Sequence, residues 1–284
     1  MCFYNAHPVN FAIVRLAKYF CPEGIRAIYL HEPAKPDKAV YGWKGKFLFE
    51  MVELSQKLTV ANCTDVLLPS PVAVELFRKY FSTYHGRIHH TPLLIPDRPY
   101  KIELKRKYFS MVGRFNFSKR LDVLVNVANY VAERGEDFQF QVVTASNIDE
   151  YVRRLTPTAK AKVRITNHSK ISDEEISQAM AQSFAVLCLH PMVTQSGVVP
   201  VAFMNGTPVI ARSSPGFTQV IKHGSNGWLV GDCFSVDELI GAMKSVMNNF
   251  DSLSANARQT YLDLFAGRNW EKNYAWLLES LTKV

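Results

Sequence analysis

Residues Val186–Ala211, which read VLCLHPMVTQSGVVPVAFMNGTPVIA, decide the fold. The apolar run Val186-Leu187-Cys188-Leu189 predicts a buried strand, Thr194-Gln195-Ser196-Gly197 a polar loop, and Val198 to Met204 an apolar helical segment. Gly206-Thr207-Pro208 breaks the pattern, and Val209-Ile210-Ala211 opens a second buried strand. Strand, loop, helix and strand in that order form a βαβ unit, which places small-molecule sites at the carboxyl ends of parallel strands. Gln195, Ser196, Gly197 and Val198 therefore fall where a ligand would sit. Ser196 and Gly197 are small enough to bring a ligand against backbone, and a helix starting near Val198 aims free N–H groups at an anion, most naturally a phosphate. An ordinary turn with a polar tip accounts for this stretch equally well when it is taken alone.

A second stretch of the same kind lies upstream. Tyr108-Phe109-Ser110-Met111-Val112 predicts a strand running into Gly113-Arg114 and Lys119, with a helix over Leu121 to Glu133. This grouping suits a diphosphate: Gly113 permits close approach, and Arg114 and Lys119 neutralise charge on a leaving group. A strand–helix turn with two surface cations is the plain alternative. Phe138 to Thr144 predicts another strand, and Ser172-Asp173-Glu174-Glu175 is a capping box that opens a helix over Glu174 to Ser183.

The rest of the chain extends this α/β alternation in both directions. A strand over Met1 to Ala6 ends at His7-Pro8, a helix follows over Val9 to Tyr19, and a strand over Ile25 to Leu30 ends at His31. Lys35, Lys38, Lys44 and Lys46 stand in an expected loop that suits either an acceptor phosphate, a membrane surface or plain solvation. Helices are expected over Phe47 to Val60 and Ala73 to Tyr80, with a strand from Asp65 between them. Pro92, Pro96 and Pro99 bracket a linker beside Lys101, Lys105, Arg106 and Lys107, which sets the expected domain boundary at 100/101. The second domain is expected to end at 267, and 268–284 is expected as an amphipathic helix carrying Trp270, Tyr274 and Trp276.

Composition restricts the class. With 284 residues and 48% hydrophobic content the chain is globular, of one large or two ordinary domains. The absence of a membrane-length apolar run or a signal-like start leads to an expected cytoplasmic location. Five scattered cysteines, without CxxC or metal-ligand spacing, read as reduced. The net charge of +8 is concentrated in residues 1–110, where 16 Lys and Arg face 9 Asp and Glu. That excess suits an anionic partner such as a phospholipid surface, a lipid-diphosphate acceptor or nucleic acid, or else a solubilising surface. Nucleic acid is ranked last and not expected as a partner, because no recognition motif accompanies the charge.

The His-Pro strand, the QSGVVP loop, the GTPVIA strand and the run Ser214 to Val230 together resemble the donor-binding domain of retaining, nucleotide-sugar-dependent glycosyltransferases of family four, which have the GT-B fold of two Rossmann-like domains. The resemblance implies a nucleotide-diphosphate sugar donor and a glycan or lipid-linked acceptor. Surface polysaccharide biosynthesis, on the inner face of a membrane, is the implied setting. Arg114 and Lys119 match the family's diphosphate cations in spacing. His31 matches the strand-terminal histidine that reaches the transferred sugar, His7 takes the companion acceptor-side position with Lys35 nearby, and the loop at Ile171 lies beside the nucleotide base. The last helix is implied to cross back onto the first domain. No Asp-x-Asp occurs, so neither metal nor cofactor is expected.

Two departures accompany the resemblance. Most members carry two glutamates eight positions apart; here Gln195 stands near the first, and Val201 or Ala202 replaces the second, which holds the ribose. A subgroup with a QSG loop shares that change. The family's first strand–helix units have no counterpart before Met1, so the N-terminal domain is read as incomplete. A truncated or misassigned start, a half that pairs with another chain, and a decayed relative that binds nucleotide without catalysis all fit. Unpaired sheet edges and apolar faces are then expected to need a covering partner.

Overall fold

The structure is a computed structural model that describes residues 2–4, 8–33, 43–102, 104–116, 119–191 and 193–282. His7 and Lys35 lie outside the described residues. The chain divides into two compact units, residues 1–93 with 270–284, and residues 94–269. The division falls inside the proline-rich stretch, earlier than the boundary expected after residue 100. Residues 95–100 attach to the second unit through Ile95 N–H to Phe265 O, Tyr100 N–H to Asn205 Oδ1 and an Arg258–Asp97 ion pair at 2.7 Å.

The first unit runs β1 (Cys2–Tyr4), α1 (Pro8–Phe20), β2 (Ala27–Tyr29), α2 (Trp43–Ala61), β3 (Asp65–Leu68), α3 (Pro71–Tyr80) and β4 (Arg87–His90). The strands form a parallel sheet in chain order. Side chains alternate across it: Ile28, Leu30, Val66 and Leu68 join Val14, Val60 and Phe77 on one face, while Ala27, Tyr29 and Leu67 turn to the other. Trp43 to Lys46, expected in a loop, instead form the first turn of α2, Gly45 included. Ser70 caps α3 by accepting from Ala73 N–H, and Pro71 takes the first helical position, where its missing N–H costs nothing.

The second unit runs β5 (Tyr108–Val112), α4 (Leu121–Glu133), β6 (Gln139–Thr144), α5 (Asp149–Arg153), α6 (Pro157–Lys160), β7 (Val163–Asn167), α7 (Asp173–Ala181), β8 (Ser183–Cys188), α8 (Val198–Met204), β9 (Val209–Arg212), α9 (Pro215–Thr218), β10 (Gly227–Val230), α10 (Val236–Asn248) and α11 (Phe250–Leu264). All six strands are parallel, in the order β10-β9-β8-β5-β6-β7. Phe109, Met111, Phe140, Val142, Leu187 and Ile210 face α4 and α10; Val112, Val143, Val186, Cys188, Val209 and Ala211 face α7, α8 and α11. Burial on both sides explains why these strands read as continuous apolar runs. The capping box of α7 forms as expected: Glu175 N–H donates to Ser172 Oγ, and Ser172 N–H donates to Glu175 Oε2. The helix ends at Ala181 rather than Ser183, because Ser183 already begins β8 and donates its hydroxyl to Ala179 O.

The chain closes with α12 (Trp270–Thr282), part of the first unit. Its Trp276 indole stacks on His89 at 3.6 Å with planes 12° apart. His89 Nε2 is 2.7 Å from the fully buried Asp65 carboxylate, which Thr64 and Arg87 also hydrogen-bond. Burial pushes the Asp65 carboxyl up, and these three donors more than reverse it, leaving it below the ordinary carboxylate range. Two of the front half's cations are internal struts. Arg26, 7% exposed, donates to the carbonyls of Cys21, Pro22, Gly24 and Asn62. Arg106 donates to Met180 O, Ser183 O, Asn205 O and Thr207 Oγ1. Their charge is satisfied within the fold and does not belong to an anion-facing surface.

Candidate active site

The strand order fixes where a ligand can bind. From β5 the chain steps outward through β6 to β7, returns to β8 on the other side of β5, and steps outward again through β9 to β10. The carboxyl ends of β5 and β8 form the switch point, where open parallel sheets leave a crevice. Gly113 leaves β5 with φ of +117°, a backbone region that favours glycine, and its N–H donates to Val143 O. Val198 Cγ2 lies 3.8 Å from where a Gly113 Cβ would stand, so the two predicted loops meet here.

Three cations follow β5. Arg120, in the left-handed conformation at the start of α4, is paired with Asp122 at 3.1 Å. Arg114 is exposed and has no hydrogen-bond or ion-pair partner among the described residues. Lys119 Nζ lies 3.2 Å from His190 Nε2 and makes no other side-chain hydrogen bond or ion pair among the described residues. Arg114 and Lys119 thus keep uncompensated charge, as a phosphate site requires.

The β8 side supplies polar atoms without partners. Among the described residues of the second unit, the buried side-chain nitrogens and oxygens that lack a hydrogen bond are His190 Nδ1, Gln195 Nε2, Gln195 Oε1, Ser196 Oγ and Ser214 Oγ. All five belong to loops leaving the carboxyl ends of β8 and β9. Folded proteins satisfy nearly all such atoms, with protein or ordered water, at a cost of about 1–3 kcal/mol for each one orphaned, so this grouping makes the loops after β8 and β9 a candidate polar site. The two loops touch: the His190 and Phe217 rings are 5.1 Å apart, and a Cβ on Gly216 would overlap the Val193 carbonyl. Gly216→Ala is therefore expected to force the loops apart, costing about 1–3 kcal/mol of stability and weakening ligand binding; a thermal melt and a nucleotide titration of the variant check this.

Gly197 is exposed and stands as the N-cap of α8, and Val198 opens that helix half-buried. Ile171, half-buried, packs its side chain against the core facing α8. His31 follows β2 in the first unit, half-buried, with Nδ1 3.8 Å from Glu32 Oε1. His190 and Ser214 did not emerge from the sequence as site residues. A usable signal was present for His190, a histidine at the end of an apolar strand and directly before a proline, the pattern that His7-Pro8 also shows.

His190 is 6% exposed, and burial, with the Lys119 charge adding to it, lowers its pKa from 6.5 to about 3. In the unfolded chain the imidazole protonates below about pH 6.5, while in the folded chain it stays neutral. Stability is therefore lost as pH falls from 6.5 toward 3, by about 1.4 kcal/mol per pH unit from this group. His190→Leu should flatten that decline; melting temperatures of both proteins between pH 7 and 4.5 test it.

A parallel sheet covered on both faces, with strand order β10-β9-β8-β5-β6-β7, defines a Rossmann-like domain. The chain belongs to the glycosyl transferases group 1 family, whose model matches residues 97–261, more than half of its length. No curated protein matches it in sequence. Among solved structures it is similar to TarM of S. aureus, at 13% identity and a TM-score of 0.72, covering 98% of this chain and 54% of that one. It is similar also to the pneumococcal O-GlcNAc transferase GtfA in complex with UDP and GlcNAc, at 16% identity and 0.68, covering 94% and 55%. Anabaena HepE in complex with UDP and glucose matches at 16% identity and 0.72, over 98% of this chain and 78% of that one. These likenesses establish the two-unit α/β architecture of GT-B glycosyltransferases, and the chain spans about half the length of TarM and GtfA. Among the described residues no helix is long and apolar enough to cross a membrane.

Proposed function

We propose that the chain is a retaining glycosyltransferase of hexosyl type, or most of one, that takes its sugar from a nucleotide diphosphate. The reading rests above all on Arg114 and Lys119, which have no carboxylate partner among the described residues, together with five unpartnered polar atoms on the loops after β8 and β9. The UDP-bound structures of GtfA and HepE support the donor class. In this reading Gly113 brings backbone against the diphosphate, and Arg114 and Lys119 stabilise the charge that grows on it as the sugar C1–oxygen bond breaks. C1 bonds to an acceptor hydroxyl on the same face, and the hydroxyl proton passes to a diphosphate oxygen. No side-chain nucleophile and no metal is needed. Gln195, Ser196, Gly197 and Val198 line the donor, Ile171 lies by the base, and His31, His7 and Lys35 serve the acceptor side. The acceptor is a surface glycan or lipid-linked glycan, met by the basic front half at the inner face of a membrane.

A second reading, a binding subunit that needs a partner chain, is favoured by one observation. Val9, Ile13, Leu16 and Phe20 on α1, and Phe47, Met51, Leu54 and Leu58 on α2, form exposed apolar stripes at spacings of four, three and four. GtfA is also known in a complex with a second chain, GtfB. Calorimetric titration with UDP, GDP and their sugars tests the main reading. One nucleoside diphosphate is expected to bind, and its sugar to be consumed slowly; a folded chain that binds none sinks the enzyme reading for this chain alone.

A further inference from the structure

We infer that His190 is a positioning residue, a neutral imidazole whose Nε2 accepts a hydrogen bond from the Lys119 ammonium and holds that cation at the diphosphate end of the site. The inference rests on the donor-site reading above and deepens it. An ammonium has only protons to give, so at 3.2 Å the Nε2 must accept and the ring proton sits on Nδ1. The ring itself is fixed: it follows the buried strand β8, is 6% exposed, and meets Phe217 edge to face at 71°. Lysine carries its charge on a flexible four-carbon stem, and some acceptor must orient it before a ligand arrives. A carboxylate in that position would orient Lys119 but cancel the charge the ligand needs. A neutral acceptor orients it and leaves the charge whole. The environment keeps the ring neutral, since burial and the neighbouring ammonium both oppose protonation, and the adjacent Cys188 thiol, buried and pushed up to about 12, adds no negative charge. The Nδ1–H, buried and without an acceptor among the described residues, is left as a donor for an oxygen of the bound ligand.

The test is a double-mutant cycle on UDP and GDP affinity, using the full chain with His190→Leu, His190→Gln, Lys119→Ala and the His190→Leu/Lys119→Ala pair. His190→Leu should weaken binding roughly 5- to 30-fold. His190→Gln, whose carbonyl oxygen can take the place of Nε2, should recover most of that loss. With Lys119 already alanine, His190→Leu should change affinity less than about twofold, because the coupling it removes is gone. An undiminished effect in the Lys119→Ala background, or glutamine no better than leucine in variants that melt like the parent, overturns the inference. Failure of the donor-site reading looks different, as the parent chain itself then binds neither nucleotide. In that event the imidazole ¹⁵N spectrum decides whether His190 orients Lys119: an Nδ1–H tautomer unchanged from pH 5 to 8 upholds that contact, and an Nε2–H tautomer or a titration in that range overturns it.

Discussion

Replacing Arg114 and Lys119 together by alanine is expected to weaken nucleoside-diphosphate binding by about 10²- to 10⁴-fold, with sugar turnover falling at least as far. Charge-assisted hydrogen bonds contribute about 1.5–3 kcal/mol each, and two are removed. The fold should tolerate the change. Arg114 is exposed and has no partner among the described residues, and Lys119 has His190 as its side-chain partner there. The melting temperature should therefore stay within a few degrees of the parent while calorimetry loses the binding isotherm. Arg114→Glu alone should go further on turnover, since it places a negative charge beside the diphosphate. Unchanged affinity in the double variant would mean that the anion is held elsewhere.

The second large effect is on stability. Arg106→Leu removes a guanidinium that ties four acceptors at the base of α8 and the start of β8: Met180 O, Ser183 O, Asn205 O and Thr207 Oγ1, at 2.7–3.0 Å. Burial lowers the Arg106 pKa to about 10, which still leaves it charged at neutral pH. Leucine would leave the carbonyls with fewer or no partners, and losing one side of such a network costs about 3–5 kcal/mol. Denaturant unfolding should show the midpoint falling with little change in slope, and a loss below about 1 kcal/mol would contradict the account. Arg106→Lys should fall between, since an ammonium has three donors and no planar fork.

The sequence disclosed most where a segment is buried on both sides or carries a clear period. The spans β5, α4 and α8 coincide with expectation to the residue, and β6 to within one. What it hid lies at edges and over long separations. The outer strands β4, read RIHH, and β7, read VRITN, are largely exposed and polar, so neither presents the apolar run that marks a strand. Arg106 looked like one of a basic cluster in a linker, because charge can be read locally but partners 74 to 101 positions away cannot. The cations Arg114 and Lys119 and the QSG loop were legible as candidates from residue type and their place at strand ends. His190 reads in the sequence only as part of the His-Pro strand end, because its partner Lys119 stands 71 positions earlier.

The central claim is that a nucleoside diphosphate binds at the carboxyl ends of β5 and β8. Hydrogen exchange of the full chain, followed by mass spectrometry with and without saturating UDP or GDP, tests it most directly. The account predicts slowed exchange in peptides covering 113–120, 190–198 and 213–218, and none of comparable size in residues 8–33 or 65–90. Tight binding with protection confined to the basic front half would contradict it.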